Sequence, residues 1–470
     1  MIDAQTFQRL FAIVLFSYSL GSADAASLLT QTPIFDAPPG TVGLGFGMRG
    51  GDSPYFDIKD ISSTNNDSQR DLVPLYLYEG KYLFFHGTSA GAHLFRNQYF
   101  AVDLIAQYRF DRLQTEASDF YAGMQDRLQS LDAGLSFSLF NQPWGKLSAT
   151  AVTDTLDRHR GEEIDLTYSY DFRPGRWTLS PYASYVYQSQ DLTNYYFGVS
   201  PDEATPSRPH YIADSANFWR MGLNTSYRLT PRWYLYLNLG YEEIPDTIHE
   251  SPLVDKTHLS SAFIGASYFF GNVHSGSDVT PFRKGEWSWR INAGYTAEET
   301  FNKVHRGYFQ RSRDVHTYLA GFTIGKLLQD GPKVDYWGRF SINRRLENDY
   351  QDNFNEYVAY VMAMGSGYSP WSQRELFRYG FGFGFSYAES VPIIEQIKQE
   401  RRGANTAHFL NYLEAQIDFP TSLLFGKLGS DNCYAGLTIV HRSGIFAISD
   451  ILGNVAGGSD VLTVHLECKQ

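Results

Sequence analysis

The chain has 470 residues, room for two or three ordinary domains, and sets 39 basic against 51 acidic side chains. With that balance it offers no basic stripe to neutralise phosphates, which excludes nucleic acid as a partner. Aromatic residues make up 16 % of the chain, yet beyond the N-terminus no run of 18 apolar residues occurs, so helical membrane spans are excluded and the apolar residues are dispersed as a transmembrane barrel disperses them.

Residues 1–25 read as a secretory signal peptide. Arg9 precedes the apolar run LFAIVLFSYSL, too short to span a bilayer, and Ala23-Asp24-Ala25 is a small-x-small cleavage pattern. Export leads to an oxidising compartment, where the two cysteines are to be judged.

Strand patterns follow. Thr41–Gly47, TVGLGFG, is a short Gly-rich strand, and DLVPLYLYEGKYLFFHG reads as two strands around a Glu79-Gly80-Lys81 turn. Phe100, Val102, Leu104, Ala106, Tyr108 and Phe110 share one face, with Asp103, Gln107 and Arg109 opposite. Leu131–Leu139, Trp233–Leu239 and Ala262–Phe270 repeat the rhythm, giving ten to twelve strands up to the aromatic end at Phe270. The polar stretch Asp57–Asp71 lacks the central Gly and closing Glu of a calcium loop and reads as a solvated connection. Asp191–Asp214 contains a Pro-rich loop fit to shape a surface or a pore mouth.

DRHRGEEIDLTYSYDF, LSPYASYVYQSQDLTNYYFGVSPDEA and SPLVDKTHLSSAFIGASYFF resemble the MipA/OmpV family of outer-membrane proteins, over about Thr41 to Phe270. The resemblance implies an outer-membrane barrel of the Gram-negative envelope. It also implies a structural or scaffold role between murein hydrolases and synthases, or in adhesion, with no catalytic residues to carry over. A porin is a lesser alternative.

Residues 271–285, GNVHSGSDVTPFRKG, have no periodicity and read as a linker. The second half, 286–470, restarts with Trp287, Trp289, Ile291, Ala293 and Tyr295 on one face. Seven more strands are expected near Val315–Leu328, Lys333–Arg345, Tyr357–Ser366, Glu375–Ala388, Ala407–Phe419, Cys433–Ser443 and Ser459–Cys468. The clearest is RELFRYGFGFGFSYAES, where Phe377, Tyr379, Phe381, Phe383, Phe385 and Tyr387 alternate with small or polar residues. Eleven such residues at roughly 3.3 Å each, tilted by about 45°, cover about 25 Å, the apolar band of an outer-membrane barrel. VPIIEQIKQERR breaks the period of two and reads as a short amphipathic helix. The fold class is therefore all-β, with transmembrane antiparallel barrels, two in tandem, one of ten to twelve strands and one of eight. A single barrel of about twenty strands is the rival. The pairing of the Trp287 strand, with the one ending at Phe270 or the one ending at Cys468, separates the two.

One stretch points to chemistry. In CYAGLTIVHRSGIF, Leu437, Ile439, His441 and Ser443 share the lipid-facing parity, and the strand runs outward to the lipopolysaccharide leaflet. An imidazole and a hydroxyl two residues apart on one strand face suit base and nucleophile. The pattern is similar to the His-x-Ser of PagL-type lipid A deacylases, which implies His441 as general base and Ser443 as nucleophile on an acyl ester of lipid A. Gly444 stands where that family has Asn, and Val455 where it has Glu; Asp450 or Asp460 would orient the histidine instead. The competing reading is a polar strand end at headgroup level. Cys433 and Cys468 open one strand and close the next at the periplasmic side, a geometry that suits a disulfide. His408, Tyr412, Glu414, Gln416 and Asp418 take the interior parity, with Arg290, Arg339, Arg345, His465 and Glu467 on other strands, as a packed ionic interior. No histidines have metal-ligand spacing, and no metal or cofactor is expected. The expected partners are outer-membrane lipid, lipopolysaccharide and murein hydrolase or synthase proteins.

Overall fold

The computed structural model describes residues 41–57, 68–115, 118–141, 144–270, 272–273, 279–280, 286–297, 311–313, 315–330, 334–372, 374–401, 406–444 and 458–470. The signal peptide lies outside them, as does most of Asp57–Asp71.

Twelve antiparallel strands close the first barrel. They are β1 (Val42–Asp52), β2 (Ser68–Glu79), β3 (Leu83–His86), β4 (Ser89–Arg96), β5 (Phe100–Arg109) and β6 (Ser130–Asn141), then β7 (Gly145–Asp154), β8 (Glu162–Ser169), β9 (Trp177–Gln188), β10 (Ala216–Arg228), β11 (Trp233–Glu243) and β12 (His258–Phe270). The seam joins β1 to β12, from Val42↔Phe270 to Gly51↔Ser261. Within the linker, β13 (Asn272–Val273) pairs with β14 (Val279–Thr280). Eight strands close the second barrel: β15 (Trp287–Thr296), β16 (Tyr318–Gln329), β17 (Val334–Leu346), β18 (Phe354–Tyr368), β19 (Glu375–Ala388), β20 (Phe409–Pro420), β21 (Cys433–Ser443) and β22 (Gly458–Lys469). β15 pairs with β22, Trp289 opposite Cys468, so the chain forms two barrels and the twenty-strand rival fails.

The aromatics of β19 split: Tyr379, Phe381 and Tyr387 are about half exposed and face lipid, whereas Phe383 and Phe385 pack on Phe46 and Tyr76 of the first barrel. The glycines between them let the lumen fill. A Cβ at Gly384 would stand 2.1 Å from the Ala359 carbonyl oxygen, so nothing larger fits there.

Short turns mark the periplasmic end and long connections the outer one. In the first barrel the outer connections fold into a cap with its own core, in which Tyr55, Leu113, Tyr121, Tyr196, Val199 and Leu253 are buried together. It contains a helix that alternation could not announce, α1 (Gln190–Phe197), inside the stretch expected to hold a Pro-rich loop. Arg208, fully buried, donates to the carbonyls of Phe120, Ala122 and Glu203 and ties its own connection to the 118–124 stretch of the cap. Below it, Val73, Leu75, Leu77, Phe110, Tyr236, Phe263 and Phe269 fill part of the lumen.

The barrels meet wall to wall, β12, β1 and β2 against β16 to β20. Phe270, Val42, Leu44 and Tyr268 pack on Leu328, Tyr336 and Val361, and the rings of Phe46 and Phe383 lie 5.2 Å apart. Asn411, on an outward position of β20, is 1 % exposed. The hydroxyl of Tyr76 lies 2.8 Å from its Oδ1 and 2.9 Å from the Gly384 carbonyl oxygen, and donates its one proton to either.

Candidate functional site

The outer end of β21 and β22 carries the expected pair. The ladder runs His441↔Asp460, Arg442↔Ser459, Ser443↔Gly458. Alternation turns His441, Ser443 and Asp460 to the outer wall and Arg442 and Ser459 to the lumen, where both are buried. His441 Nδ1 lies 2.9 Å from Asp460 Oδ1, and the side chains are 18 % and 2 % exposed. A carboxylate accepts only, so Nδ1 carries the proton shared with Asp460. Asp450, the other candidate orienter, lies outside the described residues; Asp460 is the carboxylate the geometry brings to His441. Among the described residues no bond joins His441 to Ser443. The two share a face as neighbours two apart.

The lumen of the second barrel is an ionic core. Arg290 holds Glu414 two-pronged at 2.6 and 3.0 Å, and Arg378 holds Asp418 at 2.9 and 2.7 Å. Arg339 lies 2.8 Å from Glu467. Three guanidinium groups thus face three carboxylates. Gln416 bonds Arg290, Arg339 and Asp418, and His465 bridges Thr438 and Asp418. Such matched pairing is what lets charge persist in a dry interior. Arg345 pairs with Glu356 nearer the outer end. His408 departs from the expectation: it precedes β20, is exposed, and bonds the Ala388 carbonyl with Nδ1. Cys433 and Cys468 stand opposite each other at the periplasmic end and are joined by a disulfide.

The family model described as MltA-interacting protein MipA matches residues 44–270, which are the first barrel from β1 to the end of β12. The first barrel belongs to the MipA/OmpV family. The MltA-interacting protein of Escherichia coli strain K12 is 28% identical over 235 residues, covering 49% of this chain and 91% of that protein. The putative outer membrane protein YiaT of the same strain is 26% identical over 230 residues, 48% of this chain and 90% of its own length. The outer membrane protein OmpV of Vibrio cholerae is 29% identical over 143 residues, 30% of this chain and 55% of that protein. Two closed barrels with lipid-facing aromatics, one of this family, make the chain an outer-membrane protein of the Gram-negative envelope.

In the MipA/OmpV barrel, Asp132, Asp154 and His159 lie close enough to hold a cation. Their hydrogen bonds are already used: Asp132 takes Arg109 and His159, Asp154 takes Ser130 and the N–H groups of Leu156, Arg158 and Arg160, and His159 Nδ1 accepts from Gly161. The group acts as a clasp on the 155–161 connection. Sequence reading missed it because Asp132 and Asp154 become neighbours only through the β6–β7 register. A second cluster, also missed, pins the short β3–β4 hairpin. His93 lies 2.6 Å from Asp103 and 3.1 Å from Glu79, which also bonds His86 and Arg96.

Proposed function

We propose that the chain is a scaffold-type outer-membrane protein whose MipA/OmpV barrel binds a component of the murein machinery. The observation behind this reading is that a relative named for interaction with MltA aligns over 91% of its own length with this one barrel. Buried side chains occupy part of the first lumen, and an ionic and aromatic core occupies the second, which favours a binding role over a diffusion pore. Affinity capture with the full-length protein from detergent-solubilised envelopes tests it. Murein hydrolases or synthases should be retained specifically; their absence from the retained fraction, with the barrel intact, would overturn the reading.

A second reading concerns the eight-stranded barrel and is favoured by the His441–Asp460 contact. It is an ester hydrolase acting on acyl chains of lipid A from the outer leaflet. His441 Nε2 would take the Ser443 proton as Oγ attacks the ester carbonyl, then pass it to the departing alkoxide. Water, deprotonated by the same nitrogen, releases the fatty acid and restores the serine. The net reaction is ester plus water giving acid plus alcohol. Lipid A mass spectra from cells expressing wild type and Ser443→Ala decide it. An acyl chain lost only with wild type is expected, and identical spectra would sink the reading.

A further inference from the structure

A ladder's outermost rungs fray unless something pins them, and residues 444–457 separate β21 from β22 at the outer end. The rung that carries His441 and Asp460 is the third from that end. Its neighbour, Arg442 opposite Ser459, faces inward. Both members meet one carboxylate: Glu395 Oε1 accepts from Ser459 Oγ at 2.5 Å and lies 3.5 Å from Arg442 Nε. Arg442 also donates from Nη2 to the carbonyls of Ala407 and His408, just ahead of β20.

Glu395 belongs to no wall strand. It sits in the first turn of α2 (Ile393–Glu400), the amphipathic helix between β19 and β20. Ile394, Glu395 and Gln399 are buried, so the helix seats one face against the outer end of the lumen. Glu347 Oε2 accepts from the Ile393 N–H at 2.9 Å and holds its start, and Gln351 bonds both the Val391 carbonyl and Gln396. A fixed acid therefore grips, from inside, the one rung interleaved between His441 and Ser443.

Side chains alternate across a strand, so holding the inward rung sets the twist and register of the outward ones on either side of it. We infer that Glu395 is a positioning residue for the outward His441–Asp460 pair: the helix across the mouth of the second barrel holds the outer ladder so that the imidazole stays aligned with its carboxylate. This rests on the hydrolase reading for its purpose, but not for its geometry.

The test uses the full-length protein folded in detergent with Glu395→Ala, Ser459→Ala and, as a reference for a lost carboxylate, Asp460→Asn. The rate of His441 carbethoxylation is followed by peptide mass spectrometry against pH, with exposed His258 as internal standard. In both Glu395→Ala and Ser459→Ala, His441 should react several-fold faster than in wild type. Its pH midpoint should move toward that of Asp460→Asn, while the Cys433–Cys468 disulfide and heat-modifiable migration are retained. An unchanged His441 rate and midpoint in the two variants overturns the inference. Ser459→Ala removes one hydroxyl and keeps the test alive should Glu395→Ala not fold. If wild type also cleaves lipid A, kcat should fall at least tenfold in Glu395→Ala with KM nearly constant. If it cleaves nothing, the hydrolase reading fails, and the histidine chemistry still decides the positioning.

Discussion

At the scale of single residues, charge pairing decides what the second lumen tolerates. Arg378 and Asp418 are buried and two-pronged, and losing the Asp418 carboxylate leaves Arg378 with Glu467 alone at 3.1 Å and takes an acceptor from Gln416 and His465. Asp418→Asn should cost about 3–5 kcal/mol, read as a lower urea midpoint for the second barrel. Replacing both with apolar residues should cost much less. Parity alone placed Glu414, Gln416 and Asp418 inside, because a strand has two faces and one of them is lipid. It could not tell Asp450 from Asp460 as the partner of His441, since that choice is made by the cross-strand register. His408 shows the limit of parity: it holds only within the strand, and β20 starts at Phe409.

At the scale of elements, β19 was legible to the residue, Glu375 to Ala388, and so was β21. Both have a strict period of two ended by turn residues. The cap was not legible. Its contacts join stretches far apart in sequence, and α1 is only eight residues long. Gly384→Val should abolish folding of the second barrel, as loss of the heat-modifiable band, because its side chain would run into the Ala359 carbonyl. In the cap, burial alone would raise the Glu203 carboxyl, but bonds from Arg127 and from the N–H groups of Gln125 and Ser200 outweigh it and hold it at about 2. A depressed carboxyl stabilises above its unfolded value of about 4.3 and loses that contribution as pH falls through about 2. Protease nicking of the 110–129 and 189–215 connections should therefore rise as pH is lowered from about 4 to 2, and Glu203→Gln should flatten that rise. The disulfide closes a separation of 35 residues. Cys433→Ser should lower the stability of the second barrel by up to about 4 kcal/mol on chain-entropy grounds, read from denaturant midpoints with and without reductant.

At the scale of the whole molecule, the sequence announced two barrels through a break in rhythm at 271–285 and a restart at Trp287. It did not announce how they lie together, because an aromatic that faces lipid and one that faces another barrel have the same parity. Tyr76, Phe270 and Val361 are all outward by pattern, yet each is under 10 % exposed. Asn411, a polar amide on an otherwise apolar wall, lies under that join, bonded by Tyr76. Val361→Arg should separate the barrels, read as faster proteolysis at residues 271–285 while both barrels remain heat-modifiable.

That seam carries a consequence for traffic in the bilayer. A lone barrel would turn β12, β1 and β2 to a full ring of acyl chains; here that strip is spent on a tethered neighbour. The pair must then drift and tilt as one raft, and no lipid can pass along the line where Tyr76 reaches across. Whatever meets the His441 wall has to arrive from the far side of the second barrel or from the crease beside β20, never through the join.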